Sequence, residues 1–194
     1  MATMHQIDEL MRSAAAARFP KEVSLAEGTS LTLTPMVASD WPMMEEFLRD
    51  TPDDERRFFR RDASDPARVE RWCSQLDYGH VLPLFAWWGE SIGADVILER
   101  DSGLWTSHVA KVRLLVKPAF RGRGLGRQMI NEVIELARLF DLHKLCYECA
   151  ADQHALVAFL SACGFSEAAR LEDFIRDRDG VFHDMVIMVY DLAG

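Results

Sequence analysis

Residues 111–140 run KVRLLVKPAFRGRGLGRQMINEVIELARLF: an apolar stretch, a turn with three glycines and three arginines, then a long amphipathic segment. No other part of the chain restricts the fold as much, because a strand must here deliver straight into a glycine turn that opens a helix. Met129, Ile130, Val133, Ile134, Ala137 and Phe140 fall on one stripe of that helix, read over 127–140. A glycine turn at a helix start is an anion site. The N–H groups of the first helical turn have no helical partner, and the positive end of the helix dipole points at the same place. Gly122, Gly124 and Gly126 clear away side chains that would keep a phosphate from the backbone. A phosphate-bearing ligand is expected here.

The turn also limits which ligand. A nucleotide-hydrolase loop needs a Gly-Lys-Ser/Thr ending, but Gly126 is followed by Arg127 and Gln128, leaving no lysine for the terminal phosphates and no hydroxyl for magnesium. A dinucleotide fingerprint counted from Gly122 meets Gly124 correctly but finds Arg127 where its third glycine belongs. Both nucleotide readings become minor.

Arg121-Gly122-Arg123-Gly124-Leu125-Gly126 resembles the Arg/Gln-x-x-Gly-x-Gly/Ala signature of the GNAT superfamily of N-acetyltransferases, and Gly164-Phe165 resembles the Gly-Phe that closes that family's next helix. The order of elements fits the family from about Leu31 to the C-terminus. The resemblance implies an α+β fold with a mixed, mostly antiparallel twisted sheet flanked by helices, and a splay between two strands that holds acetyl-CoA. It implies that the pantetheine arm runs along Leu114, Leu115 and Val116. The pyrophosphate would meet the turn at Arg121, Gly122, Arg123, Gly124, Leu125, Gly126 and Arg127. Gln153 stands where the family often has an asparagine for the pantetheine arm, and Phe159 on the same helix is expected among the coenzyme-binding residues. No metal is expected.

The same resemblance exposes two departures. The family's thiolate-protonating tyrosine corresponds to Leu160, and its usual carboxylate base corresponds to Lys111. Neither can do the job. For a base, His108 at the start of the strand before the turn and Glu99 on the neighbouring strand rank first. Asp95, Glu148, Cys149 and His183-Asp184 rank behind them, Asp95 and Glu99 being surface residues by default. The oxyanion donor is expected near Leu115 or Val116. The expected activity is direct transfer of an acetyl group to a primary amine of a small molecule or protein. A non-catalytic coenzyme-binding sensor or scaffold is the alternative, favoured by the two unfilled positions. Arg56–Phe59 (RRFF) and LDYGH at 76–80 resemble acetyltransferases that modify bacterial protein lysines.

Length and composition bound the rest. A chain of 194 residues with 49% hydrophobic content can build one full core. Its net charge of −9 argues against nucleic acid or an anionic membrane as a partner and suits a cationic amine. No apolar run approaches the about 20 residues that span a bilayer, and the first residues lack a secretion signal's apolar stretch, so a cytoplasmic protein is expected. Cys146 and Cys149 sit three apart on an expected strand, hence on opposite faces, and read as reduced packing residues. Domain organisation is read as a helical extension over 1–28, with a helix from Ile7 to about Arg18 and a connector over 20–28, followed by the transferase domain over 29–194. Further expectations are strands over 31–34, 81–88, 92–99, 108–116 and 144–150, with Trp87 and Trp88 facing opposite ways. Helices are expected over 41–49, 66–76 and 153–163. Asp53 to Arg57 and Arg60 to Asp62 read as a solvated charge mixture. A final hairpin over 167–192 turns at Asp179-Gly180, and its exposed edge makes a homodimer a candidate assembly.

Overall fold

The structure, a computed structural model, describes residues 13, 16–56, 58, 59, 65–100 and 105–192. Eight strands form one sheet: β1 (Lys21–Ser24), β2 (Ser30–Pro35), β3 (Val81–Trp88), β4 (Ser91–Arg100), β5 (Val109–Val116), β6 (Lys144–Ala150), β7 (Ser166–Arg176) and β8 (Phe182–Asp191). Their order is β1-β2-β3-β4-β5-β6-β8-β7, and every neighbouring pair is antiparallel except β5–β6. Helices α1 (Trp41–Arg49), α2 (Asp53–Arg56), α3 (Pro66–Ser74), α4 (Leu125–Leu139) and α5 (His154–Ala162) flank it. This is the mixed, mostly antiparallel α+β architecture expected from the sequence. Among the described residues no helix is long and apolar enough to cross a membrane.

The two faces of the sheet are covered differently. The α4 stripe of Met129, Ile130, Val133, Ile134 and Ala137 buries against Leu82, Leu84, Val96, Leu98, Ala110 and Val112 on one face. On the other face Met44 and Phe47 of α1 and Val69 and Cys73 of α3 pack with Phe85 and Ile92. That second cover reaches only part of the sheet. Lys111 and Arg113 of β5 point from the same face with their side chains 47% and 38% exposed.

Three details differ from the sequence expectations. The connector over 20–28 contains β1, which pairs antiparallel with β2 from Lys21↔Leu33 to Ser24↔Ser30. Four residues, two of them charged, are too short for period-2 alternation to register. Helix α4 begins at Leu125, inside the glycine turn, because Gly124 takes a left-handed conformation (φ 94°) and caps it. The charge mixture after α1 is partly structured, since α2 presents Glu55 to Arg121. Most of the helix expected over 7–18 lies outside the described residues, as do Arg57, Arg60, Arg61 and Asp62. Trp88 is exposed while Trp87 packs inward and donates its indole N–H to Thr34 Oγ1 at 2.9 Å, as strand alternation predicts.

Candidate functional site

A wedge opens in the middle of the sheet. Strands β5 and β6 are paired only from Val109↔Lys144 to Lys111↔Cys146. Beyond that, β5 follows β4 as far as Val116 while β6 follows β8, so the two strands separate. The phase of the β4–β5 ladder is set by the Lys117 N–H, which donates to Gly93 C=O at 2.9 Å. Hydrogen-bonded pairs alternate along an antiparallel ladder, so Leu115 directs its N–H and C=O at Asp95 of β4. Leu114 and Val116 therefore turn theirs into the wedge. Of the two positions near which the oxyanion donor is expected, Leu115 is committed to β4, whereas Val116 and its neighbour Leu114 direct their N–H groups into the wedge.

Two side chains already engage that edge. The Tyr147 hydroxyl of β6 accepts from the Leu114 N–H and donates to the Leu114 C=O, both at 3.2 Å. Burial pushes the Tyr147 phenol up to about 12, so it stays protonated. The Arg121 Nε donates to Val116 C=O at 2.8 Å. Sequence reasoning treated Tyr147 only as a strand residue; its neighbour across an open strand pair is not visible in spacing.

At the mouth of the wedge sits the glycine turn. Gly122 and Gly124 both have positive φ, 69° and 94°, and a Cβ at either would meet nothing within 4 Å. The first N–H groups of α4 have no helical partner, since the first helical bond runs from Gln128 N–H to Gly124 C=O at 3.1 Å. Gly126 has a different job. A Cβ there would meet Phe159 Cζ at 3.3 Å and Leu114 Cδ2 at 3.5 Å, so its lack of a side chain lets α4 sit against α5 and β5. Phe159 is accordingly a packing partner behind the turn. Gln153 caps the end of β6 by accepting the Ala150 N–H at 3.1 Å.

The arginines are tied rather than free. Arg121 forms a fork with Glu55 of α2 at 2.5 and 2.8 Å. Arg123 pairs with Glu27 and donates to Thr29 Oγ1 at 3.0 Å. Arg127 donates to Ala162 C=O at 3.0 Å. They brace the turn against four other segments, leaving the backbone N–H groups as its exposed donors. An N–H-lined turn of this kind, continuous with an unpaired strand edge, fits a long ligand with a diphosphate at one end and amides along its arm.

The two first-ranked basic candidates, His108 and Glu99, lie away from the wedge. His108 precedes β5 by one residue, on the order of 20 Å from Leu114 along an extended strand, and its ring packs edge-on against His143. Glu99 is opposite Lys111 and ion-paired with Arg113. Lys111 pairs with Glu148 at 3.1 Å. His183 bridges Asp152 at 2.9 Å and Asp177 at 3.0 Å, with Phe58 edge-on at 5.2 Å. Cys149 is buried on the α4 side, with its thiol pushed up to about 11 by burial. Asp95, a surface residue by sequence default, is 5% exposed, and its Oδ1 has no hydrogen-bond partner. Its burial arises because the second-face cover of α1 and α3 reaches the middle of β4, which strand alternation alone does not reveal.

Comparison with known proteins agrees with this geometry. Residues 40–165 match the family described as "Acetyltransferase (GNAT) family". No curated protein sequence matches the chain. Among solved structures, the GNAT domain of S. lividans PAT superposes with a TM-score of 0.72 at 20% identity, covering 88% of this chain and 96% of that one. A ribosomal-protein-alanine N-acetyltransferase from Brucella melitensis gives 0.72 at 19% identity, covering 82% and 98%. The acetyltransferase yncA from Salmonella typhimurium, solved with its cofactor acetyl-CoA, gives 0.65 at 17% identity over 84% and 94%. At these identities the likeness is one of fold.

Proposed function

Because the chain belongs to the GNAT acetyltransferase family, and is thereby an acetyl-CoA-dependent N-acetyltransferase, we propose that it transfers the acetyl group directly to a primary amine of a small molecule or protein. The observation that carries this reading is the continuity of the wedge. The backbone edge at Leu114 and Val116 runs into the N–H groups of the α4 start, so one extended thioester ligand can be gripped at both ends. Bound there, acetyl-CoA supplies an activated acyl group and a stable leaving thiolate.

The chain's own groups divide the remaining tasks. The turn at Gly122 to Gly126 holds the diphosphate through backbone N–H groups and the α4 dipole. The Leu114 N–H, directed into the wedge, receives the thioester oxygen as negative charge grows on it, once the Tyr147 hydroxyl gives way. A Cys149 thiol raised to about 11 stays protonated at neutral pH, which favours direct attack by the amine over an acylated cysteine. The net charge of −9 supports a cationic acceptor.

Thiol release from acetyl-CoA, measured against a panel of n-butylamine, spermidine, lysine ethyl ester and an alanine-terminated tripeptide, tests the reading. Amine-dependent release with stoichiometric amide product is the expected result. Coenzyme binding without amine-dependent release would overturn it in favour of a sensor.

A further inference from the structure

The wedge lacks both of the usual proton-transfer groups, yet one carboxylate beside it has no structural employment. Asp95 stands directly opposite Leu115 on one side and Phe85 on the other, in the middle of β4. Its side chain shares the face of Ile97 and Glu99, the face away from α4. Along β4, Ala94, Val96 and Leu98 bury against the α4 side, so Asp95 must project the other way. On this second face Lys111 and Arg113 remain partly exposed, whereas on the α4 side Ala110, Val112, Leu145 and Leu160 are buried. The face that carries Asp95 is therefore an open approach for an amine to the wedge at Leu114. Next to an approach route of that kind, a nine-tenths-buried carboxylate with an unbonded oxygen is costly to keep unless a ligand uses it.

We propose that Asp95 is the catalytic base, taking the proton from the acceptor amine as it is acetylated; this rests on the acetyl-transfer reading above. The neutral amine nitrogen forms a bond to the thioester carbonyl carbon, and the carbon–sulfur bond breaks with its electron pair leaving on sulfur. The proton lost by nitrogen goes to the Asp95 carboxylate, directly or through one water, and passes on to the thiolate or to solvent. The products are the N-acetyl amide and the free thiol, with Asp95 restored.

The surroundings of Asp95 suit the role. Burial raises its carboxyl to about 7, opposed only partly by the Arg113 guanidinium, which is itself held by Glu99. A base of that strength is half ionised at neutral pH, near the optimum for proton transfer. The other ionisable groups that interact with it electrostatically are the Cys73 thiol of α3 and the Tyr147 phenol of β6, both pushed up to about 12 and so uncharged there. Arg113 is the one charged group acting on it among these.

Asp95→Asn keeps shape and removes the base. With whichever amine of the panel turns over best, kcat/KM is expected to fall about 10²- to 10⁴-fold. The limb of its pH profile near 7 should disappear, and acetyl-CoA affinity should stay at the wild-type value. The melting temperature of the variant should rise at pH 8, where the wild-type carboxylate is charged in an apolar site. Carbon-13 titration of the wild type, read without any acceptor, should show a carboxyl signal moving near pH 7 that the variant lacks. Wild-type kcat/KM with an intact limb, a lowered melting temperature at pH 8, or an Asp95 signal titrating in the usual carboxylate range would each overturn the assignment. Absence of turnover by wild-type protein would instead sink the acetyl-transfer reading, leaving the titration to decide on Asp95.

Discussion

Gly124 shows how one residue sets the glycine turn. Its φ of 94° is open only to glycine at little cost, and that conformation starts α4 at Leu125 with its first N–H groups facing outward. Gly124→Val is expected to abolish acetyl-CoA binding, seen by calorimetry, while costing about 1–2 kcal/mol of stability for the strained backbone. Tyr147 acts in the opposite sense. Its hydroxyl satisfies the Leu114 N–H and C=O, and on the proposed reading the coenzyme displaces it. Tyr147→Phe leaves those groups unpaired until the coenzyme arrives, which penalises only the free state. Acetyl-CoA should then bind several-fold tighter, in line with about 1 kcal/mol per hydrogen bond, while the free protein melts lower. Weaker binding in this variant would mean that the hydroxyl assists the ligand rather than yielding to it.

At the scale of elements, β1 owes its place to charge as well as to strand pairing. Glu132 of α4 is 3% exposed and ion-paired with both Arg18 and Lys21, and these contacts hold its carboxyl below the ordinary value despite burial. Replacing Arg18 and Lys21 together by alanine would leave that carboxylate buried and alone. Denaturant unfolding should show a loss of about 3–5 kcal/mol, and adding Glu132→Gln should recover part of it. A loss under about 1 kcal/mol would mean that the pairing is merely a surface one. The same elements show what sequence can reveal. The β5–turn–α4 unit was legible because glycine spacing and a 3.6-residue apolar stripe are local signals. β1 was not, because Lys21–Ser24 gains its strand character from pairing with β2. The place of Asp95 depends on how far α1 and α3 reach across the sheet, and that of Tyr147 on where β5 leaves β6. Both are set by contacts distant in sequence, so the glycine turn was legible from local spacing, whereas the burial of Asp95 and the reach of Tyr147 to Leu114 were not.

Across the whole molecule, the ionisable groups combine into one pH profile. Glu132 and Asp177 have lowered values, Asp177 first through its hydrogen bond from His183, so their stabilisation is present above about pH 4.5 and is lost as acid protonates them in the folded state. His183 is raised, chiefly by Asp177, so its contribution is complete below about pH 6.5 and fades as pH climbs through its folded value. Asp95 also makes the protein less stable as pH rises, between its unfolded value of about 4 and about 7. Melting temperature should therefore peak at about pH 4 to 4.5, fall as pH rises towards 7 and fall again in acid. A maximum above pH 8 would contradict the assigned burial of Asp95 and the His183 bridge together. The central claim is that the wedge and turn grip acetyl-CoA through backbone groups, and paired calorimetric titrations of wild type and Gly124→Val with acetyl-CoA test it most directly. The account predicts micromolar binding by the wild type and none by the variant; equal binding by both, or none by either, would contradict it.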